Sequence, residues 1–193
     1  MGLHRIIEEN NSKISIWKME EDLEELQIIF PKINISHLNS AKKKKEFLSV
    51  RILLNKLNPN YEITYNKYGS PQLSDGKQIS ISHSNTFAAI IISEKNVGID
   101  IEEISDKALQ TASKFINKNN LVNLTNEKAT LIWCVKECIF KLFQKGNIDF
   151  KKDIKIESFD TKEKSKLNCN FKGEEIIVNY WKIDNQYLAY VCN

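Results

Sequence analysis

The chain has 193 residues and a mass of 22.4 kDa, enough for one large domain or two small halves. With 41% hydrophobic and 27% charged residues, 6 Gly and 3 Pro, it falls outside the disordered, collagen-like and disulfide-scaffold classes. The net charge of +3 is carried by Lys, Arg5 and Arg51 being the only Arg; a nucleic-acid face would be an Arg-containing stripe interleaved with aromatics, so no nucleic-acid partner is expected.

The longest apolar run, residues 87–92, is too short for a membrane helix, and the first residues lack the apolar core of a signal peptide. No membrane association and a cytoplasmic location are therefore expected. Four cysteines without an export signal read as reduced thiols. Cys134 and Cys138 share a helical face as small core residues, with no His near them in sequence to complete a zinc site.

In chain order, residues 13–18 alternate like a strand, and residues 36–57 predict a long helix with Phe47, Leu48, Ile52, Leu53 and Leu57 as its apolar stripe, stopped by Pro59. Its Lys42–Lys45 run is either a solvated face or a contact for an anionic ligand. Residues 61–65 form a short strand, 66–71 carry turn chemistry, and 79–83 alternate again. Residues 86–93 predict a buried strand that turns at 94–96 into a returning strand, 97–102, as a β-hairpin. Helical spacing follows over 107–117 and more strongly over 127–145, with Thr125 or Asn126 as cap and Gly146 as terminator. Strands are expected at 154–159, 166–171, 175–181 and 187–192. Each half thus offers a long helix and several antiparallel strands: an α+β architecture of two similar lobes, 1–95 and 96–193.

In Gly98-Ile99-Asp100-Ile101-Glu102 a period of two puts both carboxylates on one strand face. That face is either the solvent side of an amphipathic strand or a pair gathered around a hard cation such as magnesium, since like charges so close repel otherwise. Residues 131–143 are apolar almost all round, which marks a buried helix; its narrow polar stripe of Lys136, Glu137 and Lys141 implies a lined site, with Glu137 as a third metal oxygen beside a cation. His83, between Ser82 and Ser84, is either a hydrogen-bonded structural residue or a catalytic one. No Gly-rich phosphate loop is present, so a phosphate would have to be held by His, Lys and Arg.

Taken together, Lys67 to Pro71, Ile81-Ser82-His83-Ser84, Gly98 to Glu102 and the pattern W-x-x-K-E-x-x-x-K over Trp133 to Lys141 resemble the 4′-phosphopantetheinyl transferases of the surfactin-synthetase-activating type. The resemblance implies two pseudo-repeated α+β lobes with the ligand in the cleft between them. It implies transfer of the phosphopantetheine arm of coenzyme A to a serine of an apo acyl or peptidyl carrier protein, releasing adenosine 3′,5′-bisphosphate. Asp100, Glu102 and Glu137 would bind Mg2+, Glu137 would also activate the serine, and Lys141 and Lys136 would contact phosphates. Ser82, His83, Arg51 and Lys44 would hold the pyrophosphate and nucleotide end of coenzyme A. Ser70 stands where many members have a phosphate-contacting Lys, and Lys67 is expected to substitute. The chain is expected to act as a monomer. The rival expectations are a magnesium-dependent phosphohydrolase and a non-catalytic basic binding module.

Overall fold

The computed structural model describes residues 3–9, 11–31, 33–117, 121–144 and 146–193. In chain order the elements are β1 (Leu3–Glu9), β2 (Ser12–Lys18), α1 (Leu23–Ile29), α2 (Ala41–Leu57), β3 (Ile63–Tyr65), β4 (Pro71–Leu73), β5 (Gln78–His83), β6 (Phe87–Ser93), β7 (Val97–Glu103), α3 (Asp106–Thr111), a 3-10 turn (Ala112–Lys114), α4 (Asn126–Phe143), β8 (Ile154–Ile156), β9 (Lys164–Phe171), β10 (Glu174–Ile183) and β11 (Gln186–Cys192). They form two antiparallel sheets, ordered β1-β2-β6-β5-β4-β3 and β7-β11-β10-β9-β8. The α+β expectation, with a long helix on each sheet, holds.

Four layers follow from the period of two along the strands. On β6, whose residues are all buried, Ala88, Ile90 and Ile92 face α2 and its Leu48, Ile52 and Leu53. The alternate residues Phe87, Ala89 and Ile91 join Ile14 and Ile16 against Val97, Ile99, Ile101, Trp181, Leu188 and Tyr190 of the second sheet. The far face of that sheet, with Val178, Tyr180, Tyr187, Ala189 and Val191, packs on Leu131, Cys134, Val135, Cys138, Ile139 and Leu142 of α4. The order is helix, sheet, sheet, helix.

The hairpin expected across residues 94–96 does not form. β6 already has β2 and β5 on its two edges, and β7 pairs with β11, so the turn hands the chain from one sheet to the other. β1, α1 and β4 were not expected. α1 is opened by a capping box in which Asp22 and Glu25 bond each other's backbone N–H. The helix expected from residue 36 starts only at Ala41, because the Ser40 side chain caps the Lys43 N–H. α3 is shorter than expected, giving way to the 3-10 turn after Thr111.

The Thr125 side chain caps α4, as expected. The helix ends on Gln144 in the left-handed region at φ 49°, rather than on Gly146, and the predicted last residue, Lys145, lies outside the described residues. Among the described residues, no helix is long and apolar enough to cross a membrane.

Candidate active site

The site is set by the approach of α4 to β7. Gly98 makes this possible: a Cβ there would lie 2.1 Å from the carbonyl oxygen of Cys138 on α4. The Cys138 thiol donates to the Gly98 carbonyl at 3.3 Å and the Cys134 thiol to that of Asp100 at 3.4 Å, so both cysteines serve as packing and bonding groups between helix and strand. Burial pushes both thiols up.

With Val97, Ile99 and Ile101 turned into the contact between the sheets, Asp100 and Glu102 face α4. Asp100 is 2% exposed, which excludes the solvent-face reading of this strand. Its Oδ1 accepts from Lys141 Nζ at 2.6 Å and from the Ser82 hydroxyl at 2.8 Å. Its Oδ2 is buried with no hydrogen-bond partner. Glu102 Oε1 accepts from the Trp133 indole at 2.9 Å. Trp133 in turn packs among Phe115 at 5.0 Å and Phe150 at 5.4 Å between ring centroids.

Glu102 and Glu137 both feel the charge of Asp100. Burial, then the charge of Asp100, pushes Glu137 up to about 7, with Lys141 opposing and Glu102 adding to the rise. Burial and Asp100 also raise Glu102. For Lys141, burial opposes the charged form, but the Asp100 carboxylate outweighs it and the ammonium is held above its usual range. Lys141 reaches across from helix to strand and pairs with Asp100.

β5 supplies the other wall. Ile79 and Ile81 face α2, while Ser80 and Ser82 accept from the backbone N–H groups of Ile99 at 3.1 Å and Ile101 at 3.2 Å. β7 is an edge strand of its sheet, and these two hydroxyls satisfy donors that edge would otherwise leave open. His83 and Lys141 then line one cavity of about 420 Å3, shared with Tyr68, Ser70, Ser80 and Phe140.

The profile of the 4′-phosphopantetheinyl transferase superfamily matches residues 96–192, half of the chain. The chain belongs to that superfamily. A relative described as 4′-phosphopantetheinyl transferase gsp, from Aneurinibacillus migulanus, is 32% identical over 111 residues, which are 52% of this chain and 47% of that protein. The chain thus spans about half the length of the curated relative it matches. The matched residues of the transferase superfamily contain Asp100, Glu102, Glu137 and Lys141 and leave out β5 with Ser82 and His83.

Of the residues that the resemblance implies, Asp100 and Lys141 are in contact, Glu102 shares the strand face of Asp100, Glu137 is one turn before Lys141 on α4, and His83 and Lys141 line the same cavity. The contacts of two further residues lie inside the protein. Ser82 is buried, and its hydroxyl is spent inside the protein on Asp100, Lys141 and Ile101. Lys136 is 5% exposed and donates to the carbonyls of Phe150 and Ile154, pinning the segment before β8 to α4 rather than facing the carboxylates; burial drives its amine down to about 8. One position along a helix turns a side chain by about 100°, which separates Lys136 from its neighbour Glu137.

Lys67 is exposed, its ammonium 5.0 Å above the Tyr68 ring, while Ser70 is in the cavity wall. Arg51 stacks its guanidinium 3.5 Å over Phe47 and shares α2 with Lys44, outside the cavity wall. Sequence reasoning missed Trp133 as the partner of Glu102, Ser80 as a partner of β7, and Glu46. The alternation of Ile79 to Ser82 was the available signal for Ser80.

Among the described residues, no three His, Cys, Asp or Glu side chains are gathered as a metal centre. The donors nevertheless fit a hard divalent cation: all are carboxylate oxygens, one of them a buried oxygen without a partner, and two of the carboxyls are raised by burial and by their neighbours' charge.

Proposed function

We propose that this chain transfers the 4′-phosphopantetheine arm of coenzyme A to a serine of an apo acyl or peptidyl carrier protein, releasing adenosine 3′,5′-bisphosphate. The observation that carries this reading is Asp100: a buried carboxylate whose one oxygen is held by Lys141 and Ser82 while the other is left without a partner.

Asp100, Glu102 and Glu137 would hold Mg2+, which supplies positive charge to the pyrophosphate as its negative charge shifts. Lys141 and His83 bind the pyrophosphate from the shared cavity, and Lys44 and Arg51 meet the nucleotide end from α2. The carrier serine oxygen attacks the phosphorus on the pantetheine side, and a new oxygen–phosphorus bond forms. The bond from that phosphorus to the bridging oxygen breaks, its electron pair leaving with adenosine 3′,5′-bisphosphate, and the hydroxyl proton passes to Glu137. Trp133 and its ring neighbours orient Glu102 and keep water from that side. Both lobes of the site belong to one chain, which acts as a monomer.

The test is the intact mass of a purified apo carrier protein incubated with coenzyme A, magnesium and this protein. A gain of one phosphopantetheinyl group, lost with Asp100→Ala, is expected. An unmodified carrier with free phosphopantetheine in solution would replace transfer by hydrolysis, and full modification in excess chelator would overturn the metal assignment.

A further inference from the structure

His83 ends β5 with its side chain 45% exposed at the cavity, and its Nδ1 lies 3.4 Å from Oε1 of Glu46 on α2. Glu46 directly follows the four lysines 42–45, yet its side chain is only 11% exposed. Carboxylates are seldom buried unless paired. Lys42, one turn earlier, stands 3.9 Å from Glu46 and offsets part of its charge. The Lys42 ammonium is in turn held by Asn85 Oδ1 at 2.8 Å, and the Asn85 amide donates to Glu103 of β7 at 2.9 Å. Glu46 is therefore fixed between α2, the end of β5 and, through Lys42 and Asn85, the second sheet.

We infer that Glu46 is a positioning residue for His83: it holds the imidazole by Nδ1 and so presents Nε2 to the cavity that His83 shares with Lys141. The carboxylate oxygen opposite Nδ1 suits a proton on that nitrogen, and a phosphate oxygen at Nε2 would need a donor there as well. An imidazole at a cavity mouth without such a partner samples several rotamers, and ordering it on binding costs affinity. Glu46 removes that cost before the ligand arrives. A carboxylate pointed straight at a phosphate would repel it, whereas a phosphate bound at Nε2 would have the ring between it and Glu46. The inference rests on the reading of His83 as a contact for the coenzyme A pyrophosphate.

A double-mutant cycle tests it, with coenzyme A as the titrant. His83→Ala and Glu46→Ala are each expected to weaken coenzyme A binding about tenfold, the effect of one charge-assisted hydrogen bond, and the double variant no more than His83→Ala alone. In carrier modification the loss should appear in KM for coenzyme A, with kcat little changed. If Glu46→Ala fails to fold, Glu46→Met keeps the length without an acceptor, and the same coupling is expected from it. Unchanged affinity in His83→Ala would overturn the reading of His83 and the inference with it. A tenfold loss in His83→Ala with Glu46→Met silent, or additive with it, would overturn the inference alone, because a merely structural Glu46 acts independently of the ring.

Discussion

The ammonium of Lys141, in the last turn of α4, lies 2.6 Å from Oδ1 of Asp100 in the middle of β7, two residues 41 apart in sequence. This bond ties the helix that carries Glu137 to the strand that carries Asp100 and Glu102. It also neutralises a charge that is almost wholly out of water.

Removing the amine should therefore cost both stability and chemistry. Lys141→Ala is expected to lose about 3 kcal/mol, because an uncompensated carboxylate is left buried, and Asp100→Asn in the same chain should recover part of that loss. The kcat of carrier modification should fall by about two orders of magnitude. Urea melts of the single and double variants read the first effect, and single-turnover kinetics the second. An unaltered melt would mean that the pair adds nothing to folding.

Gly98→Ala places a methyl group against the backbone of α4 rather than against a yielding side chain. The helix has to move away, and a loss of about 3 kcal/mol is expected, at the upper end for overpacking. The midpoint of urea unfolding checks this. As α4 carries Glu137 and Lys141, the folded fraction should also turn over more slowly, which normalising activity to folded protein will show.

Ser80 and Ser82 separate a structural role from a functional one. Either change to Ala leaves a buried β7 N–H without an acceptor, so each should cost about 1–3 kcal/mol in a chemical melt. Only Ser82 also touches Asp100 and Lys141, and only Ser82→Ala should lower kcat. Equal kcat losses from both variants would assign the effect to the packing of β5 on β7.

Ser70 is in the cavity wall, whereas the Lys67 ammonium rests over Tyr68 outside it. Ser70→Lys is thus expected to tighten coenzyme A about fivefold, the worth of one partly solvated ion pair, and Lys67→Ala to change affinity less than about twofold. Calorimetric titration of both variants decides the matter; a large loss in Lys67→Ala would show that its side chain swings into the cavity when the ligand is bound.

Glu127 caps a second polar link, accepting from Lys182 at 2.9 Å and from the Tyr187 hydroxyl at 2.8 Å. These bonds hold its carboxyl below the usual range. A lowered folded-state value adds stability above the unfolded-state value, and that stability is lost as pH falls through the folded one. The wild-type chain should melt above Glu127→Gln at neutral pH, and the gap should narrow as pH falls below the unfolded-state value of about 4.3. A gap independent of pH would point to packing instead of charge.

Local pattern was enough to reveal several parts of this protein. The period of two along residues 98–102 places Asp100 and Glu102 on one face, and the helical spacing of residues 131–143 places Glu137 and Lys141 on one stripe; both groupings are present in the fold. The two long helices and most strands were also legible, since each carries its own apolar face and, for α4, its own cap.

What each face meets depended on distant parts of the chain. The run from residue 86 to 102 reads as a hairpin, but an apolar strand does not specify its neighbour, and the competing edges of β2, β5 and β11 took β6 and β7 into different sheets. Lys136 and Lys141 look alike in sequence; the carbonyls of Phe150 and Ile154 capture the first amine and Asp100 the second. The partners of the Ser82 hydroxyl, the Asp100 carboxylate and the N–H of Ile101, are 18 and 19 residues away in sequence and come within reach only in the fold. Periodicity along a segment determines which side chains share a face, because it follows from backbone geometry. Which polar atom meets which is decided at about 3 Å by long-range packing, here by a glycine that lets a helix lie directly on a strand.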